Sequence, residues 1–274
     1  MSAADDERRG GVVLVRNYFA ITNRELKSYF VSPIAYVVIA LFVLITAIFF
    51  YLIISNFVQL SFRYTMQAQY YRMAPPKLNV NSMAIRPLLH NISLFALFWL
   101  PLLTMRLFAE EKKSGTIELL FTSPVKTIQM VLAKFTASSI LFAIMLVLTF
   151  FYIISLFFFG NPELGPILSG YLGLLLIGMS YIAFGLFFSS ITDNQIIAAV
   201  ATFAFILFFW AIGWMSGFVS PGAGAFLEKL SLINHFDDFA KGVIDSGNVI
   251  YYLSFTFFGI FLTYISLESK KWRL

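Results

Sequence analysis

The chain has 274 residues, of which 59% are hydrophobic and only 12% charged, with a formal net charge of +5. Because soluble globular domains carry about 25% charged residues, this composition excludes an ordinary soluble domain and predicts an integral membrane protein. The basic excess is accounted for by positively charged membrane flanks, so it indicates no nucleic-acid partner. The chain contains no cysteine, which excludes disulfides and thiolate metal sites.

The N-terminal region predicts a helix on the membrane surface. We expect residues 1–11 to form a disordered tail. From residue 12 to 31, apolar side chains recur at spacings of three and four, and Arg24, Glu25 and Lys27 lie among the polar residues between them. This pattern is typical of an amphipathic interface helix whose cations face anionic lipid headgroups. The pattern alone fits a lipid anchor without a protein partner equally well.

Six later segments are long and apolar enough to cross about 30 Å of hydrocarbon as helices. They comprise approximately residues 33–55, 88–107, 134–159, 168–190, 196–218 and 249–267. The chain has 33 phenylalanines and no segment with strict period-two alternation, which argues against an outer-membrane barrel. The predicted fold is therefore all-α, with six transmembrane helices in a single membrane domain over residues 12–274.

The distribution of charge predicts the orientation of these spans. If the spans alternate in direction, most of the 19 Lys and Arg residues fall on the side of the N-terminus. Cytoplasmic loops carry an excess of Lys and Arg, so both termini are predicted to be cytoplasmic. The first span begins too late and is too long for a cleavable signal peptide, and we expect it to remain in the mature protein.

The connection between the second and third spans is short and unusually charged. A helix-breaking Gly-Thr pair interrupts a run of charged residues, and apolar residues follow it. This design predicts a short amphipathic helix on the membrane surface, over residues 108–121, that docks another protein. An ordinary solvated charge cluster is the alternative. The candidate docking residues are Glu110, Glu111, Lys112, Gly115, Thr116 and Glu118.

Two loops on the opposite side are longer than a connection requires. Residues 56–86 predict a polar, partly helical excursion. Residues 219–248 contain apolar patches too short to span, interrupted by proline and glycine, which predicts a re-entrant or surface-lying helical hairpin. Its candidate residues are Pro221, His235, Phe236 and Gly242. A G-x-x-x-G pattern at Gly213 and Gly217 fits a subunit contact, packing within the chain, or chance.

The sequence lacks several features that would indicate other functions. No Asp, Glu, Lys, Arg or His lies in the middle third of any predicted span, which disfavours a proton or ion pathway. No G-x-x-x-x-G-K-[ST] motif is present, so the chain is not expected to bind nucleotide through a P-loop. The two histidines, His90 and His235, belong to no convincing metal or catalytic set, and no enzymatic activity is predicted.

Several segments of the chain together resemble one family. The run from Pro101 to Glu111 (PLLTMRLFAEE), the following GTIELL and Ser123-Pro124 closely resemble the permease subunits of type-2 ABC exporters. The similarity continues in LKSYFVSPIAY (26–36) and NHFDDFAKGVID (234–245), so it covers nearly the whole chain. Within that family the sequence looks most like the GldF-type gliding-motility permeases.

The resemblance implies a role for each unusual segment. Residues 12–31 would be the interface helix, residues 108–121 the coupling helix that rests on a cytoplasmic ABC ATPase, and residues 219–248 the outer re-entrant hairpin. Two permease chains, identical or different, would pair in a bacterial inner membrane. ATP and Mg would bind to the ATPase alone, and this chain would bind no cofactor. An extracytoplasmic protein is a further possible partner. A non-ABC scaffold or secondary carrier with a charged docking loop is the alternative function.

Overall fold

A computed structural model describes residues 3–74, 78–118 and 125–271. Over these residues the chain is helical, without strands, and six helices are long and apolar enough to cross a membrane. The all-α class and the number of spans are therefore confirmed. In chain order the elements are α1 (Ala3–Val31), α2 (Pro33–Tyr71), a π-helical turn (Asn81–Ile85), α3 (Arg86–Thr104), α4 (Arg106–Lys113), α5 (Thr127–Phe159), α6 (Leu164–Ile191), α7 (Gln195–Ala211), a 3₁₀ helix (Ile212–Phe218), α8 (Pro221–Leu230), α9 (Leu232–Lys241) and α10 (Ser246–Lys271).

The centre of the bundle is α6, which contacts α3, α4, α5, α7, α9 and α10. Of its most apolar stretch, 67% is buried within the chain, against 11% for α2. Small residues let neighbouring helices approach α6 closely. A Cβ on Gly259 of α10 would lie 3.0 Å from the backbone of Ala183 in α6, so only glycine fits there. The core is thus built around α6, and α2 lies at the periphery.

The peripheral helix α2 is much longer than the predicted first span. Its 39 residues give a length of about 58 Å, roughly twice the hydrocarbon thickness of a bilayer. Between Pro33 and Pro75 the sequence contains neither proline nor glycine, so nothing ends the helix where the apolar run ends. Most of the excursion predicted for residues 56–86 is therefore a continuation of α2, closed at Arg72 by a left-handed residue.

Helix α1 begins at Ala3, so in the structure it also covers most of the stretch where a disordered tail is predicted. Residues 3–9 are alanine, acidic and basic residues, with the acids ahead of the bases. Alanine is the best helix former, and acids near a helix N-terminus complement its dipole. Ser32 takes the N-cap position of α2 without a side-chain capping bond, and Pro33 occupies the first turn.

The helix predicted over residues 108–121 begins earlier and is broken by a turn. Helix α4 runs from Arg106 to Lys113, and Gly115 follows in a left-handed conformation with φ +72°. Residues 116–118 are helical again. Leu119 to Phe121, and the Ser123-Pro124 pair, lie outside the described residues. The sharp turn predicted at Gly115 is present.

Candidate functional site

The N-terminal end of α4 is fastened to the C-terminal end of α6. The backbone N–H groups of Phe108 and Ala109 both donate to Ser189 Oγ at 3.0 Å, and Ser189 Oγ donates to the Met105 carbonyl at 2.9 Å. The first N–H groups of a helix have no partner within that helix, and here a serine from a neighbouring span supplies one. Ser189 therefore fixes the position of α4 against the central helix.

The other side of α4 joins a buried charge cluster formed by Arg24, Glu25, Glu111 and Lys134. Lys134 Nζ of α5 donates to Glu111 Oε1 of α4 at 2.8 Å and to Glu25 Oε1 of α1 at 3.1 Å. Arg24 adds contacts of 2.9 Å to Glu25 and 3.5 Å to Glu111. Lys134 Nζ also lies 5.3 Å from the centroid of the Phe108 ring. One lysine thus connects three helices.

The charge cluster is largely removed from water. The side chain of Lys134 is 2% exposed, that of Glu25 11% and that of Glu111 17%. Burial raises the pKa of Glu25, but the charge of Lys134 and hydrogen bonds from Arg24 and Lys134 outweigh burial, and the net pKa lies below its ordinary value. The hydrogen bond to Glu25 raises the pKa of Arg24 further. Glu25 and Arg24 are therefore ionised at neutral pH.

A groove of about 580 Å³ runs along the charge cluster between α1 and α4. At one wall the Arg106 guanidinium lies 4.9 Å from the Tyr29 ring, and the Tyr29 hydroxyl lies 3.1 Å from Ser138 Oγ of α5. Burial raises the pKa of Tyr29 to about 12, so Tyr29 stays neutral. The groove is lined by Arg24, Glu25, Ser28, Tyr29, Ser32, Arg106, Leu107, Glu110, Glu111, Ser114, Thr116 and Lys134.

The predicted docking residues divide into an exposed and an internal group. Glu110 and Glu118 are exposed, as is Lys27 on α1. Lys112 is half-buried and donates to the Ser190 carbonyl at the end of α6. Thr116 Oγ1 lies 2.9 Å from Ser114 Oγ in the turn after α4. The exposed group can meet a partner, and the internal group holds α4 in place.

Two residues expected at a polar surface lie inside the molecule. Glu111, a candidate docking residue, and Glu25, which belongs to the polar pattern of α1, are both paired with Lys134. Lys134 itself was missed, because it appears in the sequence only as the first residue of an apolar span. Its helix begins seven residues earlier, at Thr127, and a lysine inside a helix at such a point is the signal that could have revealed it.

The opposite end of the bundle holds a second set of polar contacts, centred on α9. Asp237 pairs with Arg86 and His90 at the start of α3, and with Lys241 one turn along α9. Burial raises the pKa of Asp237, but hydrogen bonds from Lys241 and Arg86 lower it more, and the net pKa lies below its ordinary value of 3.8. These contacts fix α9 to α3.

The predicted hairpin consists of the two short helices α8 and α9. Pro221 lies in the first turn of α8, and Phe236 is fully buried. His235 Nδ1 lies 2.7 Å from Asn248 Oδ1, and its ring stacks on Tyr251 of α10. Gly242 ends α9 with φ +96°. His235 is thus held by packing contacts, and no cluster of potential metal ligands occurs among the described residues.

The two glycines of the G-x-x-x-G pattern have different surroundings. A Cβ on Gly213 would lie 2.7 Å from Ser231 Oγ and 2.9 Å from Asn234 Nδ2. Gly213 therefore serves packing within the chain, between the 3₁₀ helix and the hairpin. Gly217 has no atom within 4 Å of its Cβ position, so of the two it alone faces open space.

The described residues form a helical bundle with six helices long and apolar enough to cross a membrane, and a charged helix lies at one end. Residues 19–266 match the model of the ABC-2 family transporter proteins, and the chain belongs to this family. Members are membrane subunits of ABC transporters whose ATPase is a separate partner.

Two relatives give the same indication at lower coverage. The chain is 30% identical over 142 residues to the probable multidrug ABC transporter permease YbhR of Escherichia coli strain K12, and to that of Escherichia coli O157:H7. Each match covers 49% of this chain and 37% of the relative. The chain therefore matches little more than a third of the length of these relatives.

Proposed function

We propose that this chain is the membrane-spanning subunit of an ATP-driven exporter and that α4 with the turn after it is its coupling helix. The observation that carries the proposal is the division of α4 into two sides. One side is fixed to α6 through Ser189 and to α1 and α5 through Lys134. The other presents Glu110 and, beyond the turn, Glu118 to solvent. A helix that transmits force needs both a free docking side and a firmly attached one.

The mechanism is mechanical. Two permease chains pair, and each rests its α4 on a cytoplasmic ABC ATPase that binds ATP and Mg. Closure of the ATPases pushes on α4, and the contacts of Ser189 and Lys134 pass this movement to α6, α5 and α1. The chain itself binds no cofactor. It resides in the bacterial inner membrane with both termini in the cytoplasm.

The work performed is export of an amphipathic cargo, such as a lipid-linked molecule or a peptide. The apolar walls of the spans suit such a cargo, and two relatives carry the name of a probable multidrug permease. The resemblance to gliding-motility permeases suggests a second candidate function, in which the chain transmits movement to an extracytoplasmic partner. Family membership argues against the non-ABC scaffold or carrier.

Charge reversal on the free side of α4 tests the proposal. In the double variant Glu110→Lys/Glu118→Lys, the chain should still fold and insert, because both carboxylates are exposed. The ATPase should be lost during affinity purification, since disrupting charge pairs buried at an interface costs about 2–5 kcal/mol.

The matched control is Glu163→Lys, which reverses an exposed acid at the opposite end of the bundle. This variant should retain the ATPase at the wild-type ratio, measured by quantitative mass spectrometry. Full retention of the ATPase by the Glu110/Glu118 variant would show that these acids are merely solvated.

A further inference from the structure

We propose that Lys134 is a positioning residue that locks α1, α4 and α5 into one mechanical unit, so that movement taken up by α4 reaches the interface helix. The inference rests on the proposed function for the source of that movement. The lock itself is a property of this chain and can be tested without a partner.

The contacts around Lys134 show why one residue has this effect. Apart from the charge cluster, α1 is bonded to α5 by two hydroxyl pairs, Tyr18 with Thr136 at 2.7 Å and Tyr29 with Ser138 at 3.1 Å. Helix α4 is bonded to α6 by Ser189 and by Lys112. Among the described residues, these contacts bond α1 to α5 and α4 to α6 at this end, and α10 is bonded to α5 through Thr127 and Glu268.

The charge cluster bridges these two pairs. Lys134 of α5 contacts Glu111 Oε1 of α4, and Arg24 of α1 lies near the same oxygen atom. Arg24 is 56% exposed and its distance to Glu111 is 3.5 Å, so its contribution is screened by water. Lys134 is enclosed and closer, and a charge pair in a poorly hydrated site is far stronger. The bridge therefore depends chiefly on Lys134.

Two carboxylates share this one ammonium group, which makes the arrangement specific. If α4 moved away from α5 alone, Glu111 would leave a buried cation with Glu25 as its remaining acid partner in the cluster. That loss is costly because burying a charge without its partner is unfavourable. Moving α1, α4 and α5 together keeps both contacts of Lys134. The geometry thus favours joint over separate movement.

Distance measurements between spin labels test the lock. The chain has no native cysteine, and Lys27→Cys on α1 and Lys113→Cys on α4 place labels at two exposed positions. With Lys134 present, pulsed EPR should give one narrow α1–α4 distance that is the same with and without ATP in the ATPase complex. In Lys134→Met the distribution should broaden at least twofold, and Lys134→Arg should restore it.

A neutral variant without the three buried charges controls for misfolding of the chain. Glu25→Gln/Glu111→Gln/Lys134→Met removes the buried charges together, so that no unpaired charge is left to unfold the chain. It should show the same broadening while retaining wild-type elution in gel filtration. Lys126→Met, which removes an exposed lysine at the start of α5, should leave the distance narrow.

The outcomes separate this inference from the proposed function. A narrow, unchanged distance in both Lys134→Met and the neutral variant would overturn the lock. Failure of the unsubstituted chain to bind any ABC ATPase would overturn the proposed function. The α1–α4 distances measured in the chain alone would still show whether Lys134 holds these helices together. An α1–α4 distance that changes with ATP in the chain with Lys134 intact would also overturn the lock, because the helices would then move separately.

Discussion

Individual charged residues carry the largest differences between what the sequence predicted and what the structure shows. Glu110 and Glu111 are adjacent and chemically identical, yet the first is exposed and the second pairs with a buried lysine. Successive residues of a helix point about 100° apart, so neighbours of the same type often face different surroundings. The sequence pattern revealed that this segment is charged, but only the packing of α1 and α5 decides which acid faces inward.

Asp237 gives a prediction for pH dependence. Its pKa in the folded chain is lowered, so its contribution to stability is complete above its ordinary value of 3.8 and is lost as the pH falls through the lower folded value. The unfolding temperature in detergent should therefore fall between about pH 5 and pH 3, and part of this fall should be absent in Asp237→Asn.

The control for this measurement is Asp245→Asn, at an exposed aspartate whose carboxylate accepts a bond from Gly247 N–H. Its acid profile should follow that of the unsubstituted chain more closely than Asp237→Asn does. Parallel profiles for Asp237→Asn and the unsubstituted chain would mean that the pairs with Arg86 and Lys241 contribute nothing.

The positions of secondary-structure elements could be predicted where the sequence changes sharply from apolar to polar residues. Where it does not, their ends could not be predicted. The six spans follow from their apolar length, and the turn at Gly115 follows from a glycine among charges. The end of α2 and the start of α5 could not be located in this way. Helix α2 contains no proline or glycine after its first residue, so it continues beyond the apolar run, and α5 begins at Thr127, ahead of its apolar run.

The turn that ends α4 gives a prediction for stability. Gly115 has φ +72° with nothing within 4 Å of its Cβ position, so a side chain is opposed by backbone conformation alone. Gly115→Ala should destabilise the turn by about 1–2 kcal/mol, seen as a lower unfolding temperature and weaker ATPase retention. Gly115→Asn should be tolerated better, because asparagine visits the left-handed region more readily.

A glycine inside a helix serves as the matched control. Gly165 lies in the first turn of α6, also with nothing near its Cβ position. Gly165→Ala should leave the unfolding temperature unchanged or raise it, since alanine is favoured over glycine in helices by up to about 1 kcal/mol. Equal effects of both alanine substitutions would remove the argument that conformation at Gly115 matters.

At the scale of the whole molecule, the two ends of the bundle have different polar architectures. One end holds the charge cluster and the exposed Glu110 of α4, and the other holds α8, α9 and the contacts of Asp237. The sequence predicted an unusual segment at each end, because surface helices need alternating polarity. It could not predict that Lys134 and Ser189 bond α4 to particular spans, since such contacts join residues far apart in the chain.

The orientation of the molecule in the membrane gives the last prediction. The charge distribution predicts that Ser114, Asn194 and Lys270 lie in the cytoplasm. Six spans then place Tyr70, at the end of the long α2, and Glu163 on the outer side. Single cysteines at these five positions, treated with a membrane-impermeant thiol reagent on intact cells, should label only at Tyr70 and Glu163.

Because the chain contains no cysteine, no native thiol contributes background labelling in this experiment. All five positions should label after the cells are permeabilised, since four are exposed and Lys270 is only partly buried. Labelling of the Ser114 variant in intact cells would place α4 outside, where no ATPase can reach it. That result would contradict the proposal that α4 is the coupling helix. Labelling at Tyr70 carries a second consequence, because it would show that the polar part of α2 stands clear of the bilayer, as a helix of about 58 Å requires.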